Sequence, residues 1–316
     1  MSEMRIAVLG ATGHVGKVLT SGLARRDGIS VTAIARSADR LEAFLASEGL
    51  GLEVVAGGFA SMGDQVFDAL IDCTGIGDPS HFGPHSRDLV HVQQCFDDLT
   101  MRYLEDHQGC RLVSMSSGAA YLGGFGKPAA PGGGPCLRPD RLTSADAYGA
   151  VKAMSESLHR MAGDLPIVDV RLFGLFSPYL DLSAHYLLSQ AMTALLSDTV
   201  LVTDEQDVMR DYAHPDDLTA LVAAVLEASP ANRAFDVYGA GPASKFQVLD
   251  ALAGRLGLCY EVRPVADVVS ATGLKRCYYS TDHEAAALGY RPLYTTVECV
   301  LSVAATVLGE RTAMNG

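Results

Sequence analysis

The chain has 316 residues, a hydrophobic content of 48% and a formal net charge of -13. Its length and composition permit a large buried core in one large or two modest domains, and its negative charge argues against nucleic acid or an acidic membrane as a partner. No apolar run is long enough to span a bilayer and the seven cysteines show no Cys-x-x-Cys spacing, so we expect a cytoplasmic protein with reduced thiols and no metal site.

Short apolar runs rich in branched residues alternate with helical patterns through the first half of the chain. Strands are predicted at 6–9, 31–35, 53–56, 69–73 and 111–115, and helices at about 13–25, 37–47 and 88–106. Continuous apolar strands separated by helices predict an α/β fold, a doubly wound parallel sheet with helices on both faces. Sheets of this kind bind their ligands at the carboxyl ends of the strands.

Beyond Pro166 the order of the elements becomes irregular. The predicted elements there are strands at 167–172 and 235–238, a helix near 183–197 and a helix after Thr295. Before this region, residues 121–139 hold so many Gly and Pro residues that they are predicted to form a loop, which follows the fifth strand. In this place the loop would be able to cover a ligand site.

A glycine-rich turn opens the first predicted helix. The stretch LGATGHVG, residues 9–16, follows a strand and precedes a helix, which is the context of a dinucleotide-binding fingerprint. Gly10 permits the tight turn, Gly13 lets the backbone approach a pyrophosphate, and Gly16 lets the helix pack on the strand. The spacing is G-x-x-G-x-x-G, and the residues expected to bind the cofactor are Gly10, Thr12, Gly13, His14, Val15 and Gly16.

The end of the second strand distinguishes between the two nicotinamide dinucleotides. An acidic residue there holds the ribose 2'-hydroxyl of NAD, whereas an arginine accommodates the 2'-phosphate of NADP. Arg36 and Ser37 follow the strand, and no acidic residue occurs before Asp39. These residues favour NADP(H) over NAD(H). The alternative is that Arg36 is a solvated loop residue and that both cofactors are accepted.

The stretch SADAYGAVKAMSE, residues 144–156, places Tyr148 four residues before Lys152 on a predicted helix. Residues at this spacing share a helix face. They are either unrelated neighbours on a solvated face or an acid/base pair, because a nearby ammonium favours the phenolate form of a tyrosine. Ser116 and Ser117 near the end of the fifth strand, together with the glycine motif, favour the acid/base pair.

These motifs together resemble the short-chain dehydrogenase/reductase superfamily. The glycine motif, Ser117 and Tyr148-x-x-x-Lys152 occur in its order, and the closer match is its extended form, the NAD-dependent epimerase/dehydratase family that acts on nucleotide sugars. Later stretches are similar to further segments of that family: RDYAHPDDLTALV (210–222), FDVYGAGPASKFQVLDAL (235–252) and STDHEAAALGYRPLYTTVECV (280–300). The matches run from residue 6 to about residue 305.

The resemblance implies a Rossmann-like doubly wound parallel sheet with a smaller C-terminal substrate-binding domain. The implied domains are an NAD(P)-binding domain of residues 1–173 plus about 235–257 and a substrate-binding domain of about 174–234 and 258–316. Family likeness also implies a homodimer that pairs through two helices, one of which contains Tyr148.

The resemblance implies a role for each residue of the motif. Tyr148 would exchange a proton with a sugar hydroxyl or keto oxygen. Lys152 would favour the phenolate form of that tyrosine and bind the nicotinamide ribose, and Ser117 would polarise the reacting oxygen. Ser116 is either a structural neighbour or a contact of the substrate.

Other positions concern the substrate, and some depart from the family. Arg210 and Arg276 match positions that contact a nucleotide pyrophosphate in the family, and the alternative for each is a surface ion pair. Gly174 stands where the family has an asparagine, which weakens the match on the diphosphate side. Three histidines near the fourth strand lack a fixed ligand spacing, so that solvated loop histidines are favoured over a metal site: His81, His85 and His91.

Several reactions remain open. The run Ser117-Gly118-Ala119 lacks the acidic residue that the family's dehydratases carry, which disfavours elimination of water. Epimerisation at sugar C4 with retained NAD and 4-keto reduction with exchangeable NADPH both fit. A reductase of a non-nucleotide carbonyl and a non-catalytic NADP sensor are the alternatives, and the sensor is disfavoured because the catalytic residues are kept.

Overall fold

A computed structural model of the chain describes residues 3–56, 65–75, 86–134, 137–264 and 275–315. The strands in these ranges are β1 (Met4–Leu9), β2 (Ile29–Ala35), β3 (Glu53–Ala56), β4 (Ala69–Asp72), β5 (Arg111–Ser117), β6 (Ile167–Leu172), β7 (Leu201–Thr203), β8 (Met209–Arg210), β9 (Arg233–Asp236), β10 (Ala243–Ser244), β11 (Tyr260–Val262) and β12 (Cys277–Tyr278). The helices are α1 (His14–Ala24), α2 (Ala38–Ser47), α3 (Ser86–Asp106), α4 (Ala147–Met161), α5 (Leu187–Ser197), α6 (Pro215–Glu227), α7 (Lys245–Leu256) and α8 (Thr296–Asn315). Within the described ranges, no helix has the length and apolar character needed to cross a membrane.

Seven strands form one sheet in the order β3-β2-β1-β4-β5-β6-β9, and every neighbouring pair is parallel. Alternate side chains of β1 enter different cores. Ile6 and Val8 pack with α1, α2 and α6, whereas Ala7 and Leu9 pack with α3. Strands covered by helices on both faces must be apolar throughout, which explains the continuous apolar runs in the sequence. The predicted doubly wound parallel sheet is confirmed.

A second apolar core lies in the C-terminal half of the chain. Helices α5, α7 and α8 supply it, with Met192, Leu249 and Val303 among the buried residues. Two small sheets occur in the same half, β10-β8-β12 and β11-β7. Of the residues 235–257 that were predicted to return to the first domain, those in β9 lie in the large sheet, whereas α7 packs in this second core. The domain boundaries stay a prediction.

The carboxyl ends of three strands lie side by side, because β1 pairs with β4 and β4 pairs with β5. A loop that follows β5 contacts a distant segment around β12. The amide of Cys277 donates to the carbonyl of Phe125 at 2.7 Å, and the amide of Thr281 donates to that of Ala129 at 2.8 Å. These bonds bring β12 to the carboxyl end of β5.

Candidate active site

The glycine-rich turn between β1 and α1 is shaped by close backbone contacts. Gly10 has a φ of +73°, and an ideal Cβ on it would lie 2.9 Å from the carbonyl oxygen of Cys73. A Cβ on Gly16 would overlap with the carbonyl oxygen of Gly10. Gly13 caps α1 without a side-chain hydrogen bond, which leaves the first amide groups of the helix for an anionic group. The turn therefore fits a dinucleotide pyrophosphate.

His14, in the same turn, is tied to the segment after β6. Its Nε2 lies 2.7 Å from the hydroxyl oxygen of Ser177, a hydrogen bond that sequence analysis does not indicate. Burial, with a smaller effect of the neighbouring Lys17, lowers the pKa of His14 to about 4. The ring is therefore neutral at physiological pH. Thr12 and Val15, also predicted to bind the cofactor, are half-buried in this turn.

The residues after β2 form a cationic rim. Arg36 is exposed, and the Ser37 hydroxyl caps α2 by accepting from the amide of Arg40 at 3.4 Å. Burial and then the charge of Arg40 lower the pKa of Lys17 on α1. The Lys17 ammonium lies 5.3 Å from the ring centroid of Phe44. No local pattern in the sequence indicates that α1 and α2 bring Lys17 and Arg40 together.

Lys152 is buried at the carboxyl end of the sheet. Its ammonium donates to the carbonyl of Met115 and to the side-chain oxygen of Gln93 on α3, both at 3.0 Å. An ideal Cβ on Gly75, which follows β4, would lie 3.7 Å from the same ammonium. Cys73, two residues before Gly75, is the residue whose carbonyl faces Gly10, so Lys152 lies close to the glycine-rich turn. Tyr148, one turn before Lys152 on α4, is half-buried.

Ser117 faces a residue that sequence analysis does not single out. Its hydroxyl oxygen accepts from the amide of Ala119 at 3.2 Å and lies 3.2 Å from the hydroxyl oxygen of Tyr278. Burial raises the pKa of Tyr278, although the bond to Ser117 acts in the opposite sense. Ser117 and Tyr278 are thus direct neighbours. The only local signal for this residue is its place just before the closing segment that resembles the family.

Ser116 is engaged elsewhere. Its hydroxyl donates to the carboxylate of Glu156 on α4 at 2.6 Å, and the side chain is buried. Glu156 also binds Arg171 through both carboxylate oxygens. The structure therefore places Ser116 in a buried polar network and does not bring its hydroxyl to Ser117. Its role as a substrate contact stays a prediction.

Aromatic rings and cations surround Tyr278. The ring centroids of Phe125 and Phe173 lie 4.8 Å and 5.3 Å from its own. The Lys275 ammonium lies 4.4 Å from that centroid and the Arg210 guanidinium carbon 5.8 Å from it. Burial and the charge of Arg210 lower the pKa of Lys275. These contacts form an aromatic wall with two cations at the carboxyl end of β5.

The two predicted arginines have different surroundings. Arg210 donates to the carbonyl oxygens of Met209 and Lys275, which holds it beside β12. Arg276 is exposed, and no partner of its side chain occurs among the described residues. Lys275 lies beside the Tyr278 ring, and nothing in the local sequence distinguishes it from the neighbouring Arg276. The Cα of Gly174 faces Tyr212, whose ring an added Cβ would contact at 3.0 Å.

Behind Lys152, a buried network extends towards the surface. Gln93 and Ser155 donate to the carboxylate of Asp97 at 2.8 Å and 2.9 Å. The Nδ1 of His159 lies 2.9 Å from Asp169, and its Nε2 lies 3.7 Å from Asp97. Burial acts to lower the pKa of His159, but the two carboxylates outweigh it and raise that pKa to about 9.

The histidines of the predicted loop give no metal centre in the part of the chain that the structure describes. His91 lies exposed on α3, with its ring nitrogens 3.7 Å and 3.9 Å from the sulfur of Cys95. His81 and His85 lie outside the described residues. No cluster of three His, Cys, Asp or Glu residues with the arrangement of a metal site occurs among the described residues.

Comparison with solved structures shows a shared fold. A UDP-glucuronic acid 4-epimerase from Bacillus cereus, in complex with UDP-glucuronic acid and NAD, matches with a TM-score of 0.78 and 18% identity, covering 97% of this chain and 100% of that chain. A UDP-glucose-4-epimerase from Stenotrophomonas maltophila, with bound NAD and formylated UDP-arabinopyranose, matches with a TM-score of 0.81 and 15% identity, covering 98% and 100%. A dTDP-glucose 4,6-dehydratase from Bacillus anthracis, in complex with NAD, matches with a TM-score of 0.78 and 13% identity, covering 98% of both chains.

A family model shows family membership, which solved structures of such low sequence identity do not. No curated protein sequence matches the chain significantly. The model of the NAD dependent epimerase/dehydratase family, however, matches residues 6–241, which is more than half of the chain and includes the glycine motif, Ser117, Tyr148 and Lys152. The chain therefore belongs to the NAD dependent epimerase/dehydratase family.

Proposed function

We propose that the chain is an NAD(P)-dependent enzyme that epimerises or reduces a nucleotide-linked sugar at C4. The observation that carries this proposal is the arrangement of three side chains at the carboxyl ends of β4 and β5. Ser117 ends β5, Tyr148 and Lys152 lie one turn apart on α4, and the buried Lys152 ammonium bonds the carbonyl of Met115, two residues before Ser117. An acid/base pair, a polarising hydroxyl and a dinucleotide turn are the groups that such a reaction requires.

The roles of the side chains follow from their surroundings. Tyr148 gives a proton to, or takes it from, the oxygen on the reacting carbon, and Ser117 donates a hydrogen bond to that oxygen. Met115 and Gln93 hold the Lys152 ammonium in place, and its charge would favour the phenolate form of the tyrosine one turn earlier. The bound nicotinamide supplies the acceptor or donor of a hydride. The glycine turn and the first amides of α1 would hold the pyrophosphate of the dinucleotide.

The cations near Tyr278 support an anionic substrate. Arg210 and Lys275 place two positive charges against the aromatic wall, in a protein whose net charge is -13. A guanidinium and an ammonium suit the diphosphate of a nucleotide sugar. The structure from Bacillus cereus holds a ligand of this class, UDP-glucuronic acid, in the same fold.

We favour NADP(H) as the cofactor. Arg36, Lys17 and Arg40 offer cations near the end of β2, and Asp39 is the first acidic residue after that strand. The solved structures of similar fold hold NAD, which is the alternative. For an epimerase, NAD retained through the reaction is the simpler arrangement, whereas a ketoreductase consumes NADPH once in each turnover.

The cofactor is identified by denaturing freshly purified protein, measuring released dinucleotide by mass spectrometry, and titrating NADH and NADPH into the emptied protein. Tighter NADPH binding supports reduction, and Arg36→Ala is then expected to weaken NADPH about tenfold while leaving NADH unchanged. Arg26→Ala, which removes an exposed arginine paired with Glu227 at the far end of α1, is the matched control. Stoichiometric NAD in the purified protein would contradict the preference for NADP and favour an epimerase.

A second candidate is a reductase of a non-nucleotide carbonyl. The aromatic wall of Phe125, Phe173 and Tyr278 favours a flat apolar substrate, and Gly174 departs from the family on the diphosphate side. Turnover of an aromatic carbonyl with NADPH, without turnover of any nucleotide sugar, would establish this candidate in place of the first.

A further inference from the structure

Tyr278 reaches the catalytic hydroxyl from the C-terminal half of the chain. It lies on β12, which pairs with β8, and Tyr278 stands opposite Arg210 in that pairing. Its ring is fixed on two sides by Phe125 and Phe173, with interplanar angles of 82° and 56°. The hydroxyl oxygen of this ordered ring lies 3.2 Å from that of Ser117. The contact is therefore built into the packing of the wall.

The hydrogen-bond capacity of Ser117 limits what its proton can do. A serine hydroxyl has one proton to donate and can accept two hydrogen bonds. The amide of Ala119 occupies one acceptor position of Ser117. When the Tyr278 hydroxyl donates to the second position, the serine proton is left for another acceptor. Burial raises the pKa of Tyr278, so its hydroxyl keeps a proton to donate.

We propose that Tyr278 is a positioning residue for Ser117, whose hydroxyl it orients by donating to Ser117 Oγ, so that the serine proton points at the reacting oxygen of the substrate. The proposal rests on the proposed function, in which Ser117 polarises that oxygen. Tyr278 contacts Ser117 through its hydroxyl and the cations Arg210 and Lys275 through its ring, so one residue joins the catalytic hydroxyl to the cations proposed to bind the substrate.

A double-mutant cycle separates this role from a structural one. The cycle compares four proteins: wild type, Tyr278→Phe, Ser117→Ala and the double variant. Each is assayed with UDP-glucuronate and with UDP-glucose. Each is also assayed with phenanthrenequinone, a non-nucleotide carbonyl, in the presence of NADPH. Tyr278→Phe keeps the ring and its packing, and we expect it to lower kcat about tenfold with little change in KM. In the Ser117→Ala background the same change is expected to have no further effect.

Tyr279→Phe is the matched control, because Tyr279 is the next residue and its hydroxyl makes no hydrogen bond among the described residues. It is expected to leave kcat unchanged. Unfolding temperatures are measured for all variants. Equal losses from Tyr278→Phe with and without the serine hydroxyl would overturn the proposal, as would a loss explained by a lowered unfolding temperature.

The three substrates distinguish failure of the proposal for Tyr278 from failure of the proposed function. Additive losses with a nucleotide sugar that the wild type converts would overturn the role of Tyr278 and leave the proposed function intact. Turnover of the quinone alone would overturn the proposed function, and the cycle measured on the quinone would still decide the role of Tyr278. Absence of turnover by the wild type with all three would overturn both.

Discussion

His159 makes the stability of the protein depend on pH in a defined window. The ring is fully buried between Asp169 and Asp97, and its pKa is raised from 6.5 to about 9. A group whose pKa is higher in the folded than in the unfolded state contributes stability that is fully present below the unfolded pKa. This contribution is lost as the pH rises through the folded value. The window therefore runs from about pH 6.5 to about pH 9.

The size of the effect follows from the shift. One pKa unit corresponds to about 1.4 kcal/mol, so a shift from 6.5 to about 9 corresponds to about 3 kcal/mol of folding free energy. Loss of the proton removes the ion pair of His159 with Asp97, while Asp169 keeps its bond to Arg160 at 2.6 Å. Because proteins are stable by about 5–15 kcal/mol, the change is a large fraction of the total.

The assay is urea unfolding of the wild type and of His159→Gln at intervals from pH 6.5 to pH 9.5. We expect the free energy of unfolding of the wild type to fall by about 3 kcal/mol more than that of the variant, which has no ring to titrate. His14 is present in both proteins, so the effect of its own lowered pKa cancels in the comparison. Parallel curves for the two proteins would refute the assignment of the shift to His159.

Three further changes test the site and the assembly. Gln93→Leu removes an acceptor of the Lys152 ammonium and is expected to lower kcat at least about tenfold in steady-state assays. Gln94→Leu, on the exposed side of α3, is the control and is expected to leave kcat unchanged. Gly16→Ala forces the new Cβ onto the carbonyl of Gly10 and is expected to abolish dinucleotide binding in a fluorescence titration, unlike Gly254→Ala on α7, where no atom lies within 4 Å. Met161 on α4 is 76% exposed, and Met161→Glu is expected to convert the predicted homodimer to a monomer in light scattering; an unchanged mass would place the interface elsewhere.

Local patterns are sufficient to predict the large sheet. The predicted strand at 6–9 lies within β1, which begins two residues earlier, and the predicted strand at 31–35 likewise lies within β2. The predicted stretches are apolar apart from Thr32, because helices cover both faces of the sheet. The glycine motif is recognised for a similar reason: a positive φ at Gly10 and the close approach at Gly16 restrict the residue type.

Contacts between distant segments explain what the sequence does not reveal. Tyr278 meets Ser117 across 161 residues, through a small sheet and a loop whose pairing has no local signature. Gln93 reaches Lys152 only because α3 and α4 pack together, and a glutamine on a helix has no feature that predicts such a bond. Likewise, Lys275 contacts the ring of Tyr278, and no local feature distinguishes it from Arg276.

The central claim is that Tyr148 performs acid/base chemistry on a nucleotide sugar. The most direct measurement incubates the holoenzyme with UDP-glucuronate and UDP-glucose and follows the configuration and oxidation state at C4 by NMR, for the wild type and for Tyr148→Phe. We expect conversion by the wild type and a rate lower by about 100-fold or more in the variant, with unchanged dinucleotide binding. Equal rates for the two proteins, or no conversion by the wild type, would contradict the account.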